Sequence, residues 1–183
     1  MRIIAGRHRG RRLKSPKGKT TRPTSDAVRE AIFNGLSHQV PSPIEEAVVL
    51  DLFAGSGALG LEALSRGARH VTFVDSDREA QAAIRENIEL LGEGPRTRLL
   101  PVDFRRLPRA REPADLIFLD PPYGLGLLMA GVDYAAKNQW LGPDTLLVME
   151  MAAADKSISD EAFHVLWRRT YGRTQIVLAK LTV

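Results

Sequence analysis

From Ala47 onward, short apolar runs alternate with longer amphipathic runs, and this alternation restricts the fold more than any other feature of the chain. Periodicity predicts buried strands in AVVLDLF, HVTFVD, TRLLPVD, DLIFLD and TLLVMEM. It predicts helices in GALGLEALSRG, SDREAQAAIRENIELLG and LLMAGVDYAAKNQW, the second opened by a capping box from Ser76 to Glu79 and closed by Gly92. This order is typical of an α/β fold, in which a mostly parallel sheet carries helices on both faces. The last run, FHVLWRRTYGRTQIVLAKLTV, predicts two strands around Gly172 that add an antiparallel edge.

Size and composition predict one globular core. The 183 residues are 44% hydrophobic and 26% charged, which excludes collagen, long disorder and coiled coil. No apolar run approaches the roughly 20 residues that a membrane helix needs, and there is no cysteine, which fits a reducing compartment. We therefore expect a cytoplasmic protein.

Positive charge is concentrated at the N-terminus. Residues 1–22 hold nine Lys and Arg and no acid, which leaves 17 Lys and Arg against 22 Asp and Glu elsewhere, although the whole chain is +4. Gly6 and Gly10, between the apolar pair Ile3 and Ile4 and the apolar Leu13, favour a short β-hairpin that projects arginines. A basic extension over 1–22 and a main domain over 23–183 are the expected divisions, and the extension predicts a nucleic-acid partner.

A helix is predicted in TSDAVREAIFNGL, capped by Ser25 or Asp26, with Val28, Ile32 and Leu36 on one apolar face. Basic side chains near its start are expected to extend the basic surface of residues 1–22. The predicted RNA-binding residues are Arg7, Arg9, Arg11, Arg12, Lys14, Arg22 and Arg29.

An acid ends each of five successive predicted strands. In parallel sheets, ligands bind outside the carboxyl ends of the strands. Five acids at these ends are better explained by a polar crevice than by solvated strand ends. They are Asp51, Asp75, Asp103, Asp120 and Glu150.

The stretch DLFAGSGALGLEA carries Gly55, Gly57 and Gly60 in the G-x-G-x-x-G spacing, and Asp75 follows at the end of the next strand. Glycines let the backbone turn sharply and approach a ligand, and the later acid accepts hydrogen bonds from ribose hydroxyls. The spacing leaves a nicotinamide dinucleotide and S-adenosylmethionine both open. Asp51, placed before the glycines, favours S-adenosylmethionine because a carboxylate attracts its cationic part and repels a pyrophosphate.

The stretch DLIFLDPPYG ends a buried strand with Asp120, Pro121, Pro122 and Tyr123. Each proline fixes its own φ and restricts the residue before it to extended conformations, so the segment is stiff. The Asp120 carboxylate and the Pro121 carbonyl are placed to accept both hydrogens of an exocyclic amine, while Tyr123 offers a flat face to the base. The four residues are the predicted catalytic group.

These motifs, together with RIIAGRHRGRRL and RPTSDAVREAIFNGL, resemble the RsmD family of bacterial class I methyltransferases, which act on a guanine N2 of small-subunit (16S) ribosomal RNA. The resemblance implies a Rossmann-like fold with a seven-stranded sheet, S-adenosylmethionine as cofactor and rRNA as partner, within an assembling small subunit. It implies that Asp120 to Tyr123 hold the guanine, that Asp75 holds the ribose hydroxyls and that Asp103, with the Phe104 backbone, faces the adenine. The whole predicted cofactor pocket is Asp51, Phe53, Gly55, Ser56, Gly57, Asp75, Ser76, Asp103 and Phe104.

Three other functions remain open on the sequence. An adenine N6 or cytosine N4 methyltransferase of DNA would use the same Asp-Pro-Pro-Tyr segment, but little chain is left to read DNA sequence. A noncatalytic RNA-binding protein and a nicotinamide dehydrogenase are the others. The four histidines lie in unrelated contexts, so no metal site is expected, and Trp140 and Trp167 are expected to pack in the core or at an edge.

Overall fold

The computed structural model describes residues 1–16, 25–122, 126–155, 158–159 and 161–182, so the predicted sites at Arg22 and Tyr123 lie outside the described residues. The helices in this part of the chain are α1 Asp26–Gln39, α2 Ala58–Ser65, α3 Arg78–Leu91 and α4 Leu127–Lys137. The strands are β1 Val48–Leu52, β2 His70–Val74, β3 Thr97–Leu100, β4 Ala114–Leu119, β5 Leu141–Ala152, β6 Phe163–Tyr171 and β7 Thr174–Leu181.

The seven strands form one sheet in the order β3-β2-β1-β4-β5-β7-β6. Strands β1 to β5 pair in parallel, and β7 pairs antiparallel with both β5 and β6. The predicted mostly parallel seven-stranded sheet is confirmed. The terminal pair forms the predicted antiparallel edge, and within it β7 inserts between β5 and β6 and leaves β6 as the outermost strand.

The core has two layers, one on each face of the sheet. Val49, Phe73 and Phe118 pack with residues of α1, α2 and α3 on one face, which we call the α1 face. Leu119 and Met149 pack with α4 on the other face. Because side chains alternate along a strand, each buried strand supplies both layers, and the prediction of helices on both faces is confirmed.

Two of the helices begin at a residue whose side-chain oxygen accepts a hydrogen bond from the backbone of the first turn. Ser25 caps α1 by accepting a hydrogen bond from the Val28 N–H. Asp77, and not the predicted Ser76, caps α3 by accepting from the Ala80 N–H. The predicted capping box is wrong because α3 begins one residue later than its pattern required.

The N-terminal segment forms the predicted hairpin, closed by an antiparallel bridge between Arg2 and Arg12. The Ile3 N–H donates to the Arg11 carbonyl at 2.9 Å. Ile3 and Leu13 are buried in the core of the α1 face, so their side chains tie the hairpin to the main domain. The hairpin therefore shares the core of that domain.

Buried polar side chains of α2 and α3 hold this hairpin. The Glu62 carboxylate, which is fully buried, accepts from the Ile4 N–H at 2.7 Å and from the Ala5 N–H at 3.0 Å. The Asn87 side chain accepts from the Lys14 N–H at 2.7 Å and donates to the Lys14 carbonyl at 3.0 Å. An unpaired buried polar group is costly, so these bonds fix the position of the hairpin.

Candidate active site

Strand register brings the ends of β1, β2 and β4 into one row, together with Glu150, which lies within β5 two residues before its end. Leu52 pairs with Val74 on one side and with Leu119 on the other, and Leu119 pairs with Met149. The next residue of each strand therefore lies at the carboxyl edge of the sheet, where ligands bind in folds of this kind. These residues are Asp75, Phe53, Asp120 and Glu150.

Asp75 shapes the glycine loop, which we define as residues 53–57. Its Oδ2 accepts from the Gly55 N–H at 2.8 Å and its Oδ1 accepts from the Asp77 N–H at 2.9 Å. Burial raises the pKa of Asp75, and the two backbone donors oppose that rise. The carboxylate fixes the loop and at the same time lies at its rim.

Gly55 leaves open space in front of the loop. Its φ is 56°, in the left-handed region, and a Cβ added there would meet no atom within 4 Å. Gly60 is different, because a Cβ there would lie 2.4 Å from Phe73 Cε1 and 2.7 Å from Val71 Cγ1. The glycine at the end of the motif thus allows α2 to pack closely on β2, whereas Gly55 faces room for a ligand.

Asp51 lies beneath this loop, within β1 and one residue before its end. Only 2% of Asp51 is exposed, and its Oδ2 accepts from the Gly60 N–H at 2.9 Å. Burial raises the pKa of Asp51 to about 7, against the opposing effect of the Gly60 hydrogen bond. Asp51 therefore titrates near neutral pH.

Ser56 connects the glycine loop to the hairpin. Its carbonyl accepts from the Asn87 side-chain amide at 2.9 Å, and its Oγ lies 3.5 Å from the Met1 sulfur. Asn87 was not predicted as a site residue. Its signal in the sequence is a polar residue on the apolar face of α3, between the buried Ile84 and Leu91.

Packed aromatic side chains form an apolar wall that begins at Phe53, the first residue of the glycine loop. The Phe53 and Phe104 ring centroids are 5.0 Å apart, and Phe104 meets Tyr134 edge-on at 5.7 Å. Phe53 has a φ of 71°, which is unusual for a residue other than glycine and directs the chain into the loop. Tyr134, on α4, was not predicted, since nothing in the spacing relates it to Phe104.

Asp103 lies beside this wall and is engaged by its neighbour. Its carboxylate accepts from the Arg105 backbone N–H at 2.9 Å and pairs with the Arg105 guanidinium at 2.7 Å. The Arg105 hydrogen bonds lower the pKa of Asp103 to about 2, so it stays ionised. Ser76, the remaining predicted pocket residue, is exposed after β2.

The Asp-Pro-Pro ledge, residues 120–122, follows β4. Asp120 is half-buried, Pro121 is buried and Pro122 is exposed. A cavity of ≈ 110 Å³ adjoins both prolines and is lined also by the start of α4, by Glu150 and by Asp155. The ledge thus borders a small cavity at the same edge of the sheet as the glycine loop.

The predicted RNA-binding arginines fall into two groups. Arg9, Arg11, Arg12 and Lys14 are exposed. Arg7 is also exposed, but it pairs with the buried Glu93 at 3.1 Å and donates to the Leu64 carbonyl. Arg7 therefore helps to hold the hairpin on α2 and α3.

Arg29 was predicted to join the basic surface, and this is wrong because only 1% of it is exposed. Its guanidinium donates to the Arg2 carbonyl and to Asp26, whose Oδ1 is 2.9 Å away. Burial lowers the pKa of Arg29. Position 29 shares a helix face with the buried Ile32 and Phe33, so the helical period turns it toward the core.

The described part of the chain contains neither a metal-ligand cluster nor a membrane-spanning helix. Its His, Asp and Glu side chains form no group of three or more that could hold a metal ion. None of its helices is long and apolar enough to cross a membrane.

The strand order, the single antiparallel β7 and the glycine loop after β1 define a class I methyltransferase fold. The solved structure of methyltransferase yhhF from Escherichia coli is 34% identical, with a TM-score of 0.85, and covers 99% of this chain and 97% of its own. The protein is a methyltransferase enzyme.

The family described as Conserved hypothetical protein 95 matches residues 1–180, and the chain belongs to it. Ribosomal RNA small subunit methyltransferase D of Haemophilus influenzae is 35% identical over 94% of this chain and 89% of its own length. The Escherichia coli protein of that name is 39% identical over 82% of this chain and 74% of its own length. The resemblance to the RsmD family is confirmed.

Proposed function

We propose that this protein transfers a methyl group from S-adenosylmethionine to the exocyclic N2 amine of a guanine in small-subunit rRNA. The observation that carries the proposal is the register of β1 and β4. Leu52 pairs with Leu119, so the glycine loop and the Asp-Pro-Pro ledge leave neighbouring strands at the same level. The names of the relatives direct the proposal to ribosomal RNA.

The residues at the loop suit a cationic nucleoside cofactor. Gly55 faces open space, and Asp75 stands at the rim where ribose hydroxyls can donate to it. Phe53 and Phe104 supply an apolar wall, and Asp51 supplies negative charge beneath the loop once it is ionised. When bound, S-adenosylmethionine supplies a methyl group on a positively charged sulfur.

The ledge would orient the amine for an in-line reaction. An exocyclic amine is a poor nucleophile because its lone pair is delocalised into the ring. The Asp120 carboxylate and the Pro121 carbonyl would accept its two hydrogens and aim the lone pair at the methyl carbon. Positioning of this kind lowers the barrier because the reactants no longer have to be brought together and oriented.

Transfer of the methyl group would place positive charge on the amine nitrogen, and the electron pair of the broken carbon–sulfur bond would stay on the cofactor's sulfur. The Asp120 carboxylate would stabilise this charge through its hydrogen bond, and the methylated amine would then release one proton to solvent. A strong base is not required, because the methylated amine is acidic until it loses that proton.

Asp120→Ala tests the proposal. Turnover is expected to fall on the order of 10³-fold with unchanged cofactor affinity and melting temperature, because a transition-state hydrogen bond is lost. Asp133→Ala, an exposed acid on α4, is the matched control and should keep full activity. Methyl transfer would be followed with labelled cofactor.

Mass mapping of rRNA nucleosides from cells with and without the protein identifies the product. Loss of one N2-methylguanine from small-subunit rRNA is the expected result. Labelling of duplex DNA alone, or unchanged rRNA nucleosides, would refute the proposal.

A further inference from the structure

A second basic segment lies far from the N-terminal hairpin. Residues 163–182 contain Arg168, Arg169, Arg173 and Lys180 and no acid. Lys180 pairs with Asp144 at 3.0 Å. The three arginines are exposed and lie at or near the turn between β6 and β7, together with Tyr171, which is 36% exposed.

Register places this turn at the level of the Asp-Pro-Pro ledge. Met149 pairs with Leu119, so Glu150 stands opposite Asp120. Glu150 pairs with Ile176, and Ile176 pairs with Arg169. Asp120 and Arg169 therefore occupy the same row of the sheet, three strand spacings or about 14 Å apart.

Arg169 and Tyr171 also share a face of the sheet with Asp120 of the ledge. Arg169 pairs with Ile176, which packs in the core of the α1 face, and Tyr171 lies two residues further along the same face. Trp167, the next residue inward on that face, lies against Gly35 of α1, where an added Cβ would come within 3.2 Å. Helix α1 thus covers Trp167, and Arg169 and Tyr171 extend beyond it toward the carboxyl edge.

Arginines around an exposed tyrosine fit single-stranded RNA. Guanidinium groups neutralise phosphates, and an aromatic ring stacks with any base. Arg169 and Arg173 form no ion pair with any residue in the ranges that the structure describes, so their charge is available to a partner. The hairpin of residues 1–16 lies along α2 and α3, whereas the β6–β7 turn lies at the far side of the ledge.

We propose that Arg169, Tyr171 and Arg173 form a second RNA-contacting surface, which binds nucleotides flanking the target base on the side of the ledge opposite the N-terminal hairpin. The inference rests on the proposed function for the identity of the RNA. It would allow the substrate strand to be held on both sides of the reacting base.

The test compares Arg169→Ala/Arg173→Ala with a matched control, Arg109→Ala/Arg111→Ala. The control arginines are also exposed, but precede β4 and so lie near the amino edge of the sheet. Binding to deproteinised small-subunit rRNA would be measured over a range of salt concentrations. The first variant should lower the slope of log affinity against log salt by about 1.4, or about 0.7 for each lost phosphate contact on a single strand.

Tyr171 separates stacking from charge. Tyr171→Ala should weaken rRNA binding about fivefold or more with an unchanged salt slope, and Tyr171→Phe should restore it. Melting temperature and S-adenosylmethionine affinity should stay at wild-type values in all these variants.

Three outcomes would overturn the inference. One is a salt slope equal to that of the control variant, and another is an effect on binding to small subunits but not to free rRNA, which would assign the surface to a ribosomal protein. The third is a melting temperature that falls in the same variants that lose affinity, which would attribute the weaker binding to partial unfolding. If the variants weaken rRNA binding and the wild-type protein methylates no rRNA guanine, the proposed function is refuted but the inference of an RNA-contacting surface is supported.

Discussion

The glycine loop and the Asp-Pro-Pro ledge lie on neighbouring strands, but they obtain their rigidity in different ways. The loop is held by carboxylates, since Asp75 accepts from Gly55 and Asp51 accepts from Gly60. The ledge is held by its own covalent rings, because two prolines fix the backbone. Asp75 thus shapes the loop and also lies at its rim, whereas in the ledge the prolines fix the backbone and Asp120 is the proposed contact with the base.

This difference predicts how substitutions behave. A change of Asp51 or Asp75, the acids that hold the glycine loop, should alter stability and cofactor affinity together. A change of Asp120 should alter turnover alone. The following four predictions test the loop half of this comparison, from the largest expected effect to the smallest.

Asp75→Ala should weaken S-adenosylmethionine binding about 100-fold and also lower the melting temperature, because the Gly55 and Asp77 N–H groups lose their acceptor. Titration calorimetry and thermal unfolding would measure the two effects. Asp77→Ala is the control, since it removes only the cap of α3 and should cost about 1 kcal/mol of stability. Full stability in Asp75→Ala would show that the loop does not depend on this carboxylate.

Gly60→Ala should destabilise the fold by about 2 kcal/mol, because the new methyl group would overlap Phe73 and Val71. Gly55→Ala has open space for its methyl group, so its cost is limited to the positive φ, about 1 kcal/mol. Cofactor affinity should follow the reverse order, because Gly55→Ala should weaken cofactor binding more than Gly60→Ala does. Chemical unfolding and equilibrium dialysis provide the comparison, and equal effects at the two positions would contradict it.

Asp51 should make cofactor affinity depend on pH. Its pKa is raised to about 7, so it is largely neutral at pH 6 and ionised at pH 8. Binding of the cationic cofactor should strengthen about tenfold between these values, and Asp51→Asn should remove most of that dependence. A pH-independent affinity in the wild-type protein would argue against a role for Asp51 charge.

The same pKa predicts a change in stability. The folded pKa lies above the unfolded value of 3.8, so the native state binds more protons between pH 4 and 7. The contribution of Asp51 to the free energy of unfolding is therefore most favourable below pH 4 and is lost as the pH rises through 7. Burial raises the pKa of Asp75 as well, which acts in the same direction. As the pH rises, the melting temperature of Asp51→Asn should increase relative to that of the wild-type protein.

Local patterns predicted much of this molecule. Strands such as β4 and the glycine spacing follow from periodicity and backbone requirements over a few residues, and both are present. The insertion of β7 between β5 and β6 could not be predicted, because strand order depends on contacts between distant parts of the chain.

The wrong prediction for Arg29 has a similar cause. Arg29 looks the same as Arg9 in a count of charge, but it is buried and pairs with Asp26. Its burial depends on packing between α1 and the hairpin, whose Arg2 carbonyl accepts a hydrogen bond from it. For Arg29 the spacing to Ile32 and Phe33 did carry a warning, since a residue on the apolar face of a helix is directed inward whatever its charge.

The side-chain amide of Asn87 joins the hairpin to the glycine loop, because it donates to the carbonyls of both Lys14 and Ser56. Motion of the hairpin on engaging a polyanion would reach the proposed cofactor pocket through this side chain and through the contact of Met1 with Ser56. We therefore expect the occupancy of the two regions to be coupled, so that each ligand influences the retention of the other.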